Sequence, residues 1–212
     1  LNAQSRFAEA LEKIARLENL VAPQDKLAQQ FILRAKALAG YERDGKCCPY
    51  DYPTQRQMLM KALDMTHPNF DLGKFERCLL SVEDVKSLNQ IAITYSETGE
   101  RRFAIRIYEQ LLRYTKRRLF NNEALFSVLP MLCYNYSRLL GRERRYEECI
   151  EIAQYGYDLS LKYDKARALG GLLLNIGCSL QKLGKDEEAK KKLMESYYAF
   201  VTVKKFNSAQ KV

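Results

Sequence analysis

Three stretches of this 212-residue chain repeat one order of large and small residues, and that order restricts the fold more than any other feature. The first runs through Leu88, Ile91-Ala92, Tyr95, Gly99, Ala104 and Tyr108. The second runs through Cys133, Tyr136-Ser137, Leu140, Cys149 and Ala153, and the third through Leu173, Ile176-Gly177, Leu180, Gly184, Ala189 and Leu193. Each gives an apolar residue, a large–small pair, another large residue, a small residue nine positions on and an apolar one four beyond that. Small residues are needed where the two helices of a hairpin cross closely, and large ones fill the groove beside them.

Apolar residues recur at helical spacing along almost the whole chain. Phe7, Leu11, Ile14 and Val21, flanked by Leu17, mark a first helix that stops before Ala22-Pro23. A second is predicted over 25–42, with Leu27, Phe31, Ala35 and Leu38 inward. Residues 45–53 read as a loop. Helix resumes at 55–65, halts at Thr66-His67-Pro68-Asn69, and a short helix follows over 72–80. The Ser81-Val82-Glu83-Asp84 step has the pattern that satisfies the free amides of a helix start. Helices are then predicted over about 82–98, 101–118, 122–141, 146–163, 165–183 and 186–203, joined so closely that neighbours must run antiparallel. No segment alternates with a period of two for long enough to form a strand.

The third copy, with Gly177, Gly184 and Asp186-Glu187-Glu188-Ala189, resembles a tetratricopeptide (TPR) motif, and the first copy resembles it well. The second has Cys149 as its small residue and an extended turn from Gly141 to Arg145. Ala104 and Cys149 are 45 residues apart and Cys149 and Ala189 are 40, against the usual TPR period of about 34, and longer helices would explain the difference. HEAT or armadillo repeats fit the spacing equally but lack this order of small residues. The resemblance implies an all-α fold: a right-handed superhelix of TPR-like antiparallel helical hairpins with longer-than-standard helices. It would form a single domain over 1–212, degenerate over 1–80 and clearer over 82–118, 122–163 and 165–203.

A narrower resemblance rests on the run from Ala62 through Thr66, His67 and Pro68 to Phe70, and on Leu80-Ser81-Val82-Glu83 leading into Leu88-Asn89-Gln90-Ile91-Ala92. It rests also on Tyr134-Asn135-Tyr136-Ser137-Arg138-Leu139-Leu140-Gly141 and Leu173-Leu174-Asn175-Ile176-Gly177. These stretches, within about 22–200, are similar to the C-terminal regions of Firmicutes helix-turn-helix (XRE-type) transcription regulators of the Rgg, PlcR and Rap-like group. In that group a short DNA-binding domain precedes a long-helix TPR array that senses a small peptide. The resemblance implies a cytoplasmic, peptide-responsive quorum-sensing regulator, active as a homodimer, whose DNA-binding domain stands upstream of Leu1. The chain starts without Met, one step before an amphipathic helix, which fits a fragment or processed chain.

By the same resemblance, the first helix of each hairpin lines the concave, ligand-binding face. Counting two positions from Leu88, Cys133 and Leu173 gives Gln90, Asn135 and Asn175: three carboxamides at one repeat position. A carboxamide offers donor and acceptor together, so it can pair with both groups of a peptide unit in an extended ligand. One turn later come Ile93, Arg138 and Cys178, with Gln181 beyond, and Asn89, Tyr134 and Leu174 lie beside the amides. Arg138 could pair with a ligand carboxylate. Equally, such amides could hydrogen-bond to the adjoining hairpin or face water. Lys86 and Lys182 are weaker candidates, and the 14 tyrosines read mainly as packing residues.

Nothing in the sequence supports an enzyme. There is no Gly-rich phosphate loop, no HExxH and no G-x-S-x-G, and the lone His67 sits in a Pro turn. Six cysteines include an adjacent Cys47-Cys48 pair, and with one histidine the chain lacks zinc ligands, so no metal or cofactor is expected. Cys133, Cys149 and Cys178 fall at apolar helical positions, where thiols act as small hydrophobes. No apolar run approaches the length of a membrane span. Net charge is +9, with basic clusters at Arg101-Arg102, 116–118, Arg142 with Arg144-Arg145, and 190–192. They read as attraction to nucleic acid or, more simply, as solvated helix faces and helix C-termini; no basic motif interleaved with aromatics stands out. Three functions therefore stand: a peptide sensor and oligomerisation region of a transcription regulator, a TPR scaffold binding a protein partner's tail, and direct nucleic-acid binding.

Overall fold

The structure is a computed structural model and describes residues 3–39, 50–118 and 123–202. Among them are helices α1 (Ala3–Leu20), α2 (Lys26–Ala39), α3 (Tyr52–Thr66), α4 (Val82–Glu97), α5 (Arg101–Arg118), α6 (Glu123–Phe126), α7 (Leu129–Arg142), α8 (Tyr146–Lys162), α9 (Leu169–Lys182) and α10 (Asp186–Thr202). No strand occurs among the described residues. The chain forms two compact units, Leu1–Leu111 and Leu112–Val212, with the division inside α5.

In the first unit, α3 starts earlier than the apolar periodicity suggests. Asp51 accepts from the Thr54 amide at 2.8 Å and Pro53 occupies the first turn, where its missing N–H costs nothing. The segment expected as a helix over 72–80 is instead a single 3-10 turn, Phe75–Arg77. Asp71 takes the Gly73 amide at 2.7 Å and Phe75 is fully buried, so one anchored turn replaces a helix. Helix α4 begins with the reciprocal cap its sequence suggests: Ser81 Oγ accepts from the Asp84 amide, and Asp84 Oδ2 from the Ser81 amide at 2.8 Å.

The inward face of α2 also differs from the expectation. Leu27 is 67% exposed and Phe31 44% exposed, whereas Gln30, Ile32 and Ala37 are buried. The cause is polar. Gln30 Nε2 donates to Asp84 Oδ1 at 2.6 Å and to Thr66 Oγ1 at 2.9 Å, and these bonds fix the rotation of α2. Most of the loop predicted over 45–53, including Cys47 and Cys48, lies outside the described residues, as does the predicted end of the second helix.

In the second unit, α7 pairs with α8 and α9 with α10 as antiparallel hairpins of the TPR kind. Both α8 and α10 have 17 residues, and the short α6 adds further length between Ala104 and Cys149. The helix predicted over 122–141 is broken between α6 and α7, with Pro130 in the first turn of α7. The one predicted over 165–183 opens with a 3-10 turn, Ala166–Ala168. Small residues sit where helices meet. A Cβ on Gly156 would lie 2.5 Å from Cys133 Cβ, and one on Gly177 would lie 2.8 Å from the Leu193 side chain. Likewise Gly170 faces the Phe200 ring, and Ser196 Oγ donates to the Gly170 carbonyl at 2.7 Å.

Helices α4, α7, α8 and α9 end alike. In each, an amide reaches back five residues to a carbonyl (Glu100 to Tyr95, Arg145 to Leu140, Lys165 to Ser160, Lys185 to Leu180). The residue before that amide takes positive φ: Gly99, Arg144, Asp164 and Gly184. This left-handed closure turns the chain sharply, which is how such long helices are joined by so few residues.

Candidate functional site

Within the second unit, α7 and α9 leave the same repeat positions open. Tyr134, Asn135 and Arg138 are half-buried on α7; Leu174 and Asn175 are half-buried and Cys178 is exposed on α9. Asn175 Nδ2 donates to the Tyr134 carbonyl at 3.1 Å and to Ser137 Oγ at 2.8 Å, tying α9 to α7. Ser137 Oγ in turn donates to the Tyr134 carbonyl at 3.1 Å. The ring of Tyr134 rests on Gly171, where a Cβ would lie 2.5 Å from it. Asn175 is thus engaged with the neighbouring helix, one of the alternatives open to it in the sequence. Asn135 and Arg138 are not free of partners either.

Gln181 stands apart from this group. It is exposed and, with Asp186, Lys190, Met194 and Tyr197, borders an open depression of about 580 Å³ between α9 and α10 that Asn175 does not line.

The first unit holds Asn89 and Gln90 on α4. Gln90 is 9% exposed, and its Nε2 is buried with no acceptor. An amide donor left so costs roughly 1–3 kcal/mol, so the position calls for an acceptor. Asn89 is half-buried, and its carbonyl accepts from Tyr108 Oη at 3.5 Å. Glu83 and Lys86 share the face of Gln90 along α4 by helical spacing. Lys86 Nζ contacts Glu83 at 2.6 Å, and Arg34 of α2 reaches the same carboxylate. The Arg34 Nε of α2 and the Glu83 Oε2 that Arg34 approaches are likewise buried without a hydrogen-bond partner among the described residues.

Beside it lies a buried carboxylate. Asp84 accepts from Gln30, from Ser81 through amide and hydroxyl, and from Thr66, and its Oδ2 lies 3.1 Å from His67 Nε2. Burial alone would push this carboxyl up. The hydrogen bonds from Ser81, His67 and Gln30 outweigh it and hold the group below the ordinary aspartate range. The sequence pointed to Asp84 as a cap only. Gln30 and Arg34 were not anticipated; the signal was two polar residues one turn apart inside an apolar helix.

Burial pushes the Cys133 thiol up to about 12 and raises those of Cys149 and Cys178, which leaves them poor nucleophiles near neutrality. Among the described residues no three His, Cys, Asp or Glu side chains are grouped to hold a metal ion, and no helix is long and apolar enough to cross a membrane.

The comparisons with known proteins agree with the helical-repeat architecture. The RNPP family C-terminal domain matches residues 6–211. Bacillus thuringiensis PlcR, solved in complex with the peptide PapR7 and DNA, is similar at 22% identity with a TM-score of 0.75, over 99% of this chain and 68% of that one. Aspartyl phosphate phosphatase F from Bacillus subtilis is similar at 16% identity and a TM-score of 0.59, over 85% of this chain and 43% of its own. TPR-like repeats assigned to a Podosopora anserina kinesin light chain match at 12% identity and a TM-score of 0.56, over 95% of this chain and 88% of that one. At these identities the likenesses establish the fold. No curated protein matches the sequence.

Proposed function

Because the chain belongs to the RNPP family, whose C-terminal domain spans nearly all of it, we propose that it is the peptide-sensing and oligomerisation region of a cytoplasmic transcription regulator. Its ligand is a short extended peptide, held on the concave face by the first helices of the hairpins. DNA is engaged through a separate N-terminal domain, and the regulator works as a homodimer. PlcR, to which the fold is similar, has been solved with a peptide and DNA together.

The observation that carries the reading is Gln90. Its Nε2 is buried without an acceptor among the described residues. A peptide backbone supplies carbonyl acceptors at regular intervals, and carboxamides also return an acceptor to the peptide N–H. Asn135 and Asn175 repeat the amide on α7 and α9, with Tyr134 beside them and Arg138 one turn on as a partner for a ligand carboxylate. Gln181 and Asn89 extend the set at its margins.

Calorimetric titration with a pool of short linear peptides, PapR7 among them, tests this. Gln90→Ala, and Asn135→Ala with Asn175→Ala, each weaken binding at least about tenfold, equivalent to one lost hydrogen bond of about 1.4 kcal/mol or more. Ser137→Ala serves as the control, since it loosens the tie between α7 and α9 while leaving the Asn175 amide in place. Unchanged peptide affinity in the Asn135/Asn175 double variant would sink the site.

A further inference from the structure

Helix α5 carries seven cations and a single carboxylate, Glu109, so 18 residues hold six of the chain's nine net positive charges. Its other side is core: Ala104, Ile107, Tyr108 and Leu111 are at most 1% exposed. Every exposed residue of α5 is basic, namely Arg101, Arg102, Arg106, Arg113, Lys116 and Arg117. Positions 102, 106, 113 and 117 share one helix face by their spacing, and at 1.5 Å per residue the stripe runs about 22 Å.

Several of these cations are held in place. Arg106 lies over the Phe103 ring at 5.1 Å, Lys116 over Tyr155 at 4.6 Å and Arg118 over Tyr114 at 4.9 Å. Phe103 and Tyr114 alternate with the cations along α5. A ring beneath the charge restrains a long side chain, so less rotamer freedom remains to be lost on contact, and the outward N–H groups stay available. Arg102, Arg106 and Lys116 have no carboxylate partner among the described residues.

The chemistry of this face selects its occupant. Protein interfaces concentrate apolar and aromatic groups at their centre and exclude charge from it, yet α5 exposes no apolar side chain. Arginine forks match phosphate oxygens, and one strand of duplex DNA presents about six phosphates over about 22 Å of helix axis. We propose that α5 is a sequence-independent contact surface for the phosphate backbone of duplex DNA. It is separate from the peptide reading, which concerns α4, α7 and α9.

Titration of this chain with a short duplex of arbitrary sequence, repeated across a salt series, tests the proposal. Binding appears at low salt and falls linearly as log affinity against log salt. The variant R102Q/R106Q/K116Q lowers that slope by about two to three, about 0.9 per lost phosphate contact, and weakens low-salt binding at least about tenfold. The variant K165Q/K185Q/K191Q removes the same charge from other exposed positions and leaves affinity within about twofold. All six substitutions are at exposed side chains, and circular dichroism verifies the fold. Absence of binding at low salt overturns the proposal, as do equal losses in the two variants, which would mean diffuse attraction to net charge. Tighter binding of polyglutamate than of the duplex overturns it too, and assigns the face to an acidic protein.

Discussion

In the first unit, α2, α3 and the start of α4 converge on one buried carboxylate: Asp84 gathers Gln30, Thr66, His67 and Ser81 around two oxygens. In the second, α7 to α10 come together where side chains are missing, at Gly156 against Cys133, Gly171 against Tyr134, Gly177 against Leu193 and Gly170 against Phe200. The same kind of helical stacking is thus secured in two ways. A hydrogen-bonded carboxylate concentrates the joint at one residue and makes it responsive to protons. Close contact distributes the joint over many positions and makes it responsive to volume.

Substitutions that separate these two modes should differ in size. Asp84→Ala has the largest expected effect, a loss of about 3 kcal/mol or more, because Gln30 Nε2 and the Ser81 amide are left without their acceptor in a buried site. Urea unfolding followed by circular dichroism measures it, and a loss under 1 kcal/mol would mean that the clamp contributes little. Gly156→Ala comes next. Alanine gains about 1 kcal/mol of helix propensity, but its Cβ would stand 2.5 Å from Cys133 Cβ, and overpacking of that kind costs typically 1–3 kcal/mol. A net loss of up to about 2 kcal/mol is expected, and a stabilised variant would show that α7 and α8 can move apart.

The smallest effect is on acid sensitivity. The Asp84 carboxyl is held below its unfolded value of 3.8, so its contribution is complete above that value and is lost as pH falls through the lower, folded one. Asp84→Asn therefore has a flatter stability profile on the acid side than the wild type. Parallel profiles in the two proteins would place the acid response elsewhere.

The comparison also explains what the sequence made legible. The second unit was readable because its joints are small residues at fixed spacing, so Gly177, Cys149 and Ala189 announced the hairpins directly. The capping of α4 by Ser81 was equally local. The first unit was harder. Its joint depends on Gln30 meeting Asp84 across 54 positions, and a buried glutamine is invisible to hydrophobic periodicity. Hence Leu27 and Phe31 were expected inward and lie exposed. The amide register at 90, 135 and 175 was visible as a pattern. The bonds from Asn175 to Tyr134 and Ser137, which depend on a neighbouring helix, were not.

Those two bonds from Asn175 have a consequence for selectivity. The amide nitrogen already makes both of its bonds, so a ligand at the proposed site would meet an internal competitor there. An incoming acceptor must displace that competitor, and the exchange is favourable only if it restores about as much hydrogen bonding as it removes. Under the proposed function, a ligand reaching Asn175 with one weak contact would be refused, and one that is accepted would unfasten α9 from α7 in the same step. On the proposed reading, recognition at this residue would be an exchange reaction with a threshold, and the unfastening would be its signal.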